Sequence, residues 1–355
     1  MLYYLRCASK RFYDMSSSIG DVAKRARVSM STVSYVINGG PRNVRAELSN
    51  RVLAAIKELD YRPSRIARTM VTGRSGAVGV IHAPIRYDIH GATFVQAVLN
   101  GIAAEAQRLR HDLLLYTNAL TDDPERALAD VDDGRSDGLI VISPDQNDSL
   151  IDLLAKRSPK MVIVTGCQRA GVPYLVSDNE SGITQAFTHL YELGHRKIGH
   201  VYGQLTFADG KERYDAFLKL VATYETQLEK HWLIGGRFEG SKSYQYAQRM
   251  LKLPKRPTAV IAANDNIASG IIQCAKDMGL KIPEDLSVIG FDDTMLAQMI
   301  EPPLTTVAQS LESFGTTAVR YLDQLLKGES VPTLSRFPTS LTVRRTTSSP
   351  KEDIS

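Results

Sequence analysis

The chain has 355 residues, of which 43% are hydrophobic and 23% charged. That length accommodates two or three domains of about 100–200 residues each, and no run of about 18 uninterrupted apolar residues is available to span a membrane. Cys7, Cys167 and Cys274 lack the paired spacing of a zinc or redox site and suit a reducing cytoplasm. Composition therefore predicts a cytoplasmic protein that needs no metal and no cofactor.

The net charge of +4 is unevenly distributed. Residues 16–76 contain 11 Lys and Arg against 4 Asp and Glu, a net charge of +7, whereas the chain after residue 76 has a net charge of −5. A small basic module joined to a larger acidic body predicts a polyanionic partner for the module alone. We expect residues 1–15, which lack a secretory signal, to form a disordered leader, with Met15 as an alternative start to Met1.

The basic module is predicted to form three short helices over residues 16–63. Apolar residues from Ile19 to Ala26 recur at i, i+3, i+4 and i+7, which predicts one amphipathic helix. Ser29 is placed to cap a second helix, and a third is predicted from about residue 45 to residue 59. Three short helices with a tight first turn predict a helix-turn-helix, whose second helix enters the major groove of DNA.

The second helix has an unusual polar face. Its sequence "VSMSTVSYVING" combines hydroxyl and β-branched residues that disfavour helices. Hydroxyls at a helix start donate to phosphates, and this predicts that the polar face contacts DNA. The alternative is a solvated helix in a small bundle.

After residue 76, short β-rich runs alternate with longer amphipathic stretches. This pattern predicts two doubly wound parallel sheets, whose ligands bind at the carboxyl ends of the strands. The predicted strands cover residues 77–83, 112–117, 137–143, 161–166, 197–203, 258–264 and 286–291.

Six segments then occur in a characteristic order: "IGDVAKRARVSMSTVSYVIN", "LDYRPSRIARTMVTGRS", "LGHRKIGHVYG", "AANDNIASG", "GLKIPEDLSVIGFDD" and "EPPLTTV". Together they resemble the lactose/galactose-repressor (LacI/GalR) family of bacterial regulators, from residue 19 to residue 345. The resemblance implies a helix-turn-helix domain, a hinge helix and a two-lobed body that resembles periplasmic binding proteins. The implied divisions are 16–63 for the DNA-binding domain, 64–76 for the hinge and linker, 77–175 with 304–330 and 176–303 with 331–346 for the two lobes, and 347–355 for a disordered tail.

The resemblance implies DNA-contacting residues in the module. Positions that contact phosphates match Ser29, Thr32, Ser34 and Asn38, and positions that read bases match Met30, Ser31 and Tyr35. The hinge helix begins at Arg65 and ends at Met70, which would insert between base pairs in the minor groove.

Two residues depart from the family pattern. Arg27 stands where glycine is usual in the tight turn, and a positive φ there costs an arginine about 1 kcal/mol. Tyr35 stands where other members carry residues such as arginine. Tyrosine cannot read guanine in the bidentate way of arginine, so the operator sequence is not transferable.

The resemblance also implies an effector cleft in the body. Arg213, Asn264 and Asp292 match polar positions of the cleft, and Phe94, Thr165 and Phe238 match positions on its walls. Each has a structural alternative: Asp292 could cap a helix, Arg213 could pair at the surface, and the two phenylalanines could belong to the core.

A carboxylate, a guanidinium and an amide between aromatic walls suit a polyol and would also accommodate a purine or nucleoside. We expect a ligand-responsive repressor of carbohydrate uptake or catabolism genes that binds a pseudo-palindromic operator as a homodimer, with a sugar as effector. A solute-binding protein is disfavoured by the basic module, and an enzyme by the lack of a catalytic motif. The sequence leaves open whether the protein is a dimer or a tetramer, and whether the effector induces transcription or acts as a co-repressor.

Overall fold

The computed structural model describes residues 17–38, 44–63, 69, 73–82, 93–117, 123–157, 160–236 and 240–351. The chain divides into two compact units, Met1–Ser75 and Gly76–Ser355. No helix in this described part is long and apolar enough to cross a membrane.

The amino-terminal unit contains three short helices: α1 (Ile19–Ala26), α2 (Met30–Asn38) and α3 (Ala46–Glu58). Helix α1 begins with a capping box, in which Ser18 Oγ accepts from the Asp21 amide and the Asp21 carboxylate accepts from the Ser18 amide. The apolar faces of the three helices meet in one small core, formed by Val22, Ala23, Ala26, Val33, Val52 and Ala55. The spacing of apolar residues in the sequence thus predicted this unit correctly.

The second unit contains two six-stranded sheets. The first sheet consists of β1 (Ala77–His82), β2 (Asp112–Leu115), β3 (Gly138–Ile142), β4 (Met161–Val164), β5 (Tyr174–Ser177) and β11 (Leu334–Phe337). The second consists of β6 (Ile198–Tyr202), β7 (Leu233–Gly235), β8 (Ala259–Ala262), β9 (Ser287–Asp292), β10 (Thr305–Ala308) and β12 (Ser340–Thr342). The first sheet has the order β11-β5-β4-β3-β1-β2 and the second the order β12-β10-β9-β8-β6-β7, and all pairings are parallel except that of β12 with β10.

Helices cover both faces of each sheet, which is why the central strands are continuous apolar runs. The first lobe has α4 (Thr93–Leu109), α5 (Pro124–Val131), α6 (Ser149–Arg157) and α12 (Leu311–Leu326). The second has α7 (Asn179–Glu192), α8 (Ala208–Thr223), α9 (Gly240–Leu251), α10 (Asp265–Asp277) and α11 (Met295–Met299). Helices α4 and α12 cross at glycines, since a Cβ on Gly101 would lie 2.0 Å from the Glu312 carbonyl oxygen.

The chain passes between the lobes at three places, and their positions differ from the expected boundaries. β5 ends at Ser177 and α7 begins the second lobe. β10, expected in the first lobe, pairs with β9, and β11, expected in the second, pairs with β5. The divisions at 175, 304 and 330 were therefore wrong by a few residues, because the sequence does not reveal which sheet a short edge strand joins.

The expected disordered tail is also wrong for its first residues. His189 Nε2 lies 3.1 Å from Thr347 Oγ1, and His195 Nε2 lies 2.9 Å from the Ser348 carbonyl oxygen. These contacts bind residues 347 and 348 to the second lobe. Residues 352–355 lie outside the described part.

Candidate nucleic-acid interface and effector cleft

The turn between α1 and α2 is left-handed at Arg27, with φ +53° and ψ +51°. The turn therefore has the positive φ that the usual glycine predicts, at a cost to arginine of about 1 kcal/mol. Within the turn, the amide of Val28 donates to the Ala23 carbonyl and the amide of Arg27 to the Lys24 carbonyl. These two bonds terminate α1 and fix the backbone of the turn that leads to α2.

The expected phosphate-contacting residues are spread from the start of α2 to its last residue. Ser29 Oγ accepts from the Thr32 amide at 3.2 Å, which confirms Ser29 as a helix cap, and lies 2.9 Å from Thr32 Oγ1. Ser34 is half-buried, and Asn38 is the last residue of the helix. Ser29 and Thr32 thus place two hydroxyls beside the amino terminus of α2, where its dipole attracts anions.

Two of the expected base-reading residues are exposed. Met30 has 58% of its surface accessible, Ser31 is exposed and Tyr35 is half-buried. An apolar, flexible side chain this exposed at the start of a recognition helix has no role in the small core. Arg65 and Met70 of the expected hinge helix lie outside the described residues.

In the body, Arg213 on α8 is almost fully buried and lies at the carboxyl ends of the second-sheet strands. Its Nε donates to Asn179 Oδ1 at 2.8 Å and its Nη1 to the Ala263 carbonyl at 2.6 Å. The guanidinium carbon lies 3.6 Å from the centroid of the Phe291 ring, and Nη1 lies 3.8 Å from Asp292 Oδ1. These contacts exclude the surface ion pair that was the alternative for Arg213.

Asp292 ends β9 with a positive φ of 117° and is 5% exposed. It does not cap α11, whose cap residue is Thr294. Instead its Oδ1 accepts from Gln309 Nε2, and Gln309 Oε1 accepts from the Ser177 hydroxyl. Burial raises the pKa of Asp292 well above its usual value, against the opposing effect of Arg213.

Asp265, the first residue of α10, is a second buried carboxyl group close by. Its Oδ1 accepts from the Thr306 hydroxyl at 2.6 Å, and its Oδ2 from the amide and hydroxyl of Thr294 at 2.8 and 2.9 Å. Burial raises its pKa to about 6. Because both oxygens have protein partners, Asp265 supports the loop after β9.

Asp209, on α8 one turn before Arg213, joins the two lobes. Its Oδ2 accepts from the Gly166 amide of the first lobe at 2.8 Å, and its Oδ1 accepts from Asn179 Nδ2 at 3.1 Å. The Gly166 carbonyl in turn accepts from the Tyr174 hydroxyl at 2.8 Å. A continuous set of polar contacts therefore runs from the first lobe through Asp209 to Arg213.

A second inter-lobe contact lies between the loops after β3 and β6. The Gln146 amide donates to the Thr206 carbonyl at 3.1 Å, and Asp145 Oδ2 accepts from Gln204 Nε2 at 3.2 Å and from the Thr206 hydroxyl. Both loops follow strand ends, so this contact borders the same cleft.

The other expected cleft residues are only partly brought to this cluster. Asn264 precedes α10 and caps it, since its Oδ1 accepts from the Ile267 amide at 2.8 Å. The carbonyl of the preceding residue, Ala263, accepts from Arg213. Thr165 is 2% exposed, and its hydroxyl lies 2.8 Å from Ser143 Oγ within the first lobe. Phe94 is half-buried and packs against the core between the first sheet and helices α4 and α12, and its place on the cleft wall stays a prediction. Phe238 lies outside the described residues.

Sequence reasoning missed Asn179, Asp209 and Gln309. Asn179 lies two residues after the carboxyl end of β5, and Gln309 lies directly after that of β10. Asp209 precedes Arg213 by four residues, so that Asp209 and Arg213 lie on the same face of α8. Short polar segments at strand ends were the available signal, but β5 and β10 were not among the predicted strands.

A basic helix-turn-helix unit and a two-lobed body with a polar cleft at its strand ends define a ligand-responsive, sequence-specific DNA-binding regulator. Residues 18–64 match the model of the bacterial regulatory proteins of the lacI family, and residues 187–347 match that of a periplasmic binding protein-like domain. The chain belongs to the LacI family of transcriptional repressors and is not an enzyme.

Similar proteins support this assignment over nearly the whole chain. The HTH-type transcriptional repressor PurR of Erwinia tasmaniensis is 35% identical over 342 residues, covering 95% of this chain and 99% of the relative. PurR of Haemophilus influenzae is 32% identical over 327 residues, with coverages of 90% and 95%. The lac repressor dimer bound to operator and the anti-inducer ONPF has a TM-score of 0.83 at 27% identity, with coverages of 94% and 99%. The complex of the transcriptional regulator CelR with cellobiose has a TM-score of 0.71 at 26% identity, with coverages of 93% and 99%.

Proposed function

We propose that this repressor acts in the cytoplasm as a homodimer on a pseudo-palindromic operator, and that a small uncharged sugar is its effector. The regulated genes would then serve carbohydrate uptake or catabolism. The observation that carries the proposal is the buried pair of Asp292 and Arg213 at the strand ends between the lobes. A carboxylate and a guanidinium side by side accept from and donate to neighbouring hydroxyls of one sugar ring.

The charge of the cleft favours an uncharged effector. Asp209, Asp265 and Asp292 are buried there with Arg213 as the only buried cation of the described residues. An additional phosphate would add negative charge where burial already raises the pKa of two carboxyl groups. Sugar phosphates and nucleotides are therefore disfavoured relative to free sugars and bases.

The CelR structure with cellobiose supports the sugar, since that regulator shares the fold and 26% of its residues with this chain. A purine or nucleoside is the second candidate, because the curated relatives at 32–35% identity are named PurR. The N–H groups of a purine would donate to Asp292 as sugar hydroxyls would, so the pair alone does not separate the two ligands.

A thermal-shift screen of the full-length protein separates them. Free sugars, purines, nucleosides and sugar phosphates are tested on the wild type and on Asp292→Asn, in which the carboxylate acceptor becomes an amide. A ligand at about 100 times its Kd stabilises by roughly 2.7 kcal/mol, a shift of several degrees.

A free sugar that stabilises the wild type and not Asp292→Asn supports the proposal. If a purine shows this behaviour, the effector is a purine instead of a sugar, and the assignment of Asp292 to the binding site is retained. A ligand that stabilises both proteins equally would contradict the assignment of Asp292 as a binding residue, and a sugar phosphate as the best ligand would contradict the charge argument.

We propose that α11 contributes to the homodimer contact. Met295 and Met299 lie one turn apart on this five-residue helix and are 73% and 74% exposed. Neighbouring apolar side chains this exposed mark an interaction surface. The lac repressor neighbour is a dimer, and a second copy of this chain is therefore the partner we assign to the two methionines.

A further inference from the structure

A basic residue of α3 contacts the turn of the helix-turn-helix. The Arg51 guanidinium donates through Nη2 to the Ala26 carbonyl and, at 3.3 Å, to the Arg27 carbonyl. Ala26 is the last residue of α1, and Arg27 is the residue with the left-handed backbone. Among the described residues, Arg51 pairs with no carboxylate.

The turn leaves these two carbonyls to be satisfied by another group. Its own backbone bonds use the carbonyls of Ala23 and Lys24, which are the acceptors for Val28 and Arg27. The carbonyls of the last helical turn have no intrahelical donor, and a cation is favoured there by the helix dipole. Arg51 supplies both a donor and a positive charge at this place.

The contact also concerns the one backbone position of the motif that is strained. A non-glycine residue at φ +53° persists only where surrounding groups hold it. The recognition helix α2 begins three residues after Arg27, so the conformation of this turn sets the direction in which Ser29, Met30 and Ser31 project.

We propose that Arg51 is a positioning residue for operator recognition: it holds the left-handed turn at Arg27 and thereby the orientation of α2, and it is not a phosphate contact. Its effect is on the discrimination between DNA sequences. A phosphate contact would instead strengthen binding to all sequences alike.

The test uses the full-length protein, a duplex that the wild type enriches from a randomised pool, and a scrambled duplex of equal length. Arg51→Lys keeps the charge and loses the planar guanidinium that reaches two carbonyls. We expect about a tenfold loss of affinity for the enriched duplex, since a hydrogen bond to a charged group is lost, and an unchanged affinity for the scrambled one. Lys57→Gln is the matched control, because Lys57 is an exposed basic residue of the same helix with no contact to the turn.

Arg27→Gly tests whether Arg51 acts through the turn. Glycine adopts the left-handed conformation without strain, so Arg51→Lys should cost less affinity in the Arg27→Gly background than in the wild type. Amide hydrogen exchange at Val28 provides a readout without DNA, and we expect faster exchange in Arg51→Lys than in Lys57→Gln.

A further variant, Arg51→Gln, removes the positive charge. Arg51 would be a phosphate contact, and the proposal would be overturned, if Arg51→Lys lost equal affinity for the two duplexes and Arg51→Gln showed a lower slope of affinity against salt. The same penalty in the Arg27→Gly background, or unchanged exchange at Val28, would overturn it as well. If Arg51→Gln fails to fold, the charge-conserving Arg51→Lys still decides among these outcomes.

Discussion

Replacing Arg213 by methionine should destabilise the body far more than an ordinary surface substitution. Arg213→Met removes the buried hydrogen bonds to Asn179 Oδ1 and to the Ala263 carbonyl, and it leaves Asp292 without its cation. Breaking a buried ion pair by removing one partner costs about 3–5 kcal/mol. At about 2–4 °C per kcal/mol for large domains, the Tm falls by roughly 6–20 °C.

Lys211→Met is the matched control, because Lys211 lies on the same helix and pairs with Asp215 at the surface, where both side chains are more than half exposed. Such a pair contributes about 0.5 kcal/mol or less. Calorimetry and urea unfolding of both variants provide the comparison. If Arg213→Met lowers the Tm no more than Lys211→Met does, the buried contacts do not stabilise the cleft and the reasoning fails.

The remaining predictions concern DNA binding, self-association and pH. Affinity for the operator should fall about a thousandfold or more between 50 and 200 mM salt, and a single half-site that binds as tightly as the full palindrome would contradict a dimeric reader. Met70→Asp should abolish tight operator binding in a gel-shift assay while leaving effector binding intact, whereas loss of both would mean that Met70 is structural. Met295→Lys with Met299→Lys should shift the protein toward monomer in analytical ultracentrifugation, and an unchanged sedimentation coefficient would exclude α11 from the contact. Burial raises the pKa of Asp265 to about 6, so as the pH falls the folded state binds this proton before the unfolded state does. The Tm of the wild type should therefore rise relative to that of Asp265→Asn as the pH falls from 7 to 4. Parallel pH profiles of the two proteins would show that Asp265 does not titrate in this range.

Much of the fold was predictable because its central strands are buried on both faces. The apolar runs predicted β1, β3, β4, β6, β8 and β9, and β2 was predicted by a run that the structure leaves at the sheet edge. The segments "SRF" of β11 and "SLT" of β12 carry no apolar run and were missed. Their lobe membership depends on strand pairing, of Leu334 in β11 with Tyr174 in β5 and of Leu341 in β12 with Val307 in β10, which no local pattern encodes.

The candidate cleft was predictable in part for the same reason. Asp292 and Arg213 stood out through their motifs, and the structure brings them within 3.8 Å. The roles of Asp209 and Gln309 depend on partners from other elements, Gly166 and Ser177, so that only the folded chain reveals them. By contrast, the positive φ at Arg27 was predictable from the family resemblance, because glycine is usual at this position of the turn and adopts a positive φ without strain.

The three passages of the chain between the lobes determine whether a lobe can be removed or exchanged on its own. The Asp178 amide donates to the Phe337 carbonyl, and the Thr339 hydroxyl donates to the Asp178 carbonyl, so the first and third passages are bonded side by side. Neither lobe is encoded by one continuous stretch. A truncation after the first or the second passage removes strands of both sheets, and a proteolytic cut at one passage leaves the lobes connected through the other two. Chain order thus makes the body a single unit of expression and evolution, in which an effector lobe cannot be exchanged by simple recombination at one junction.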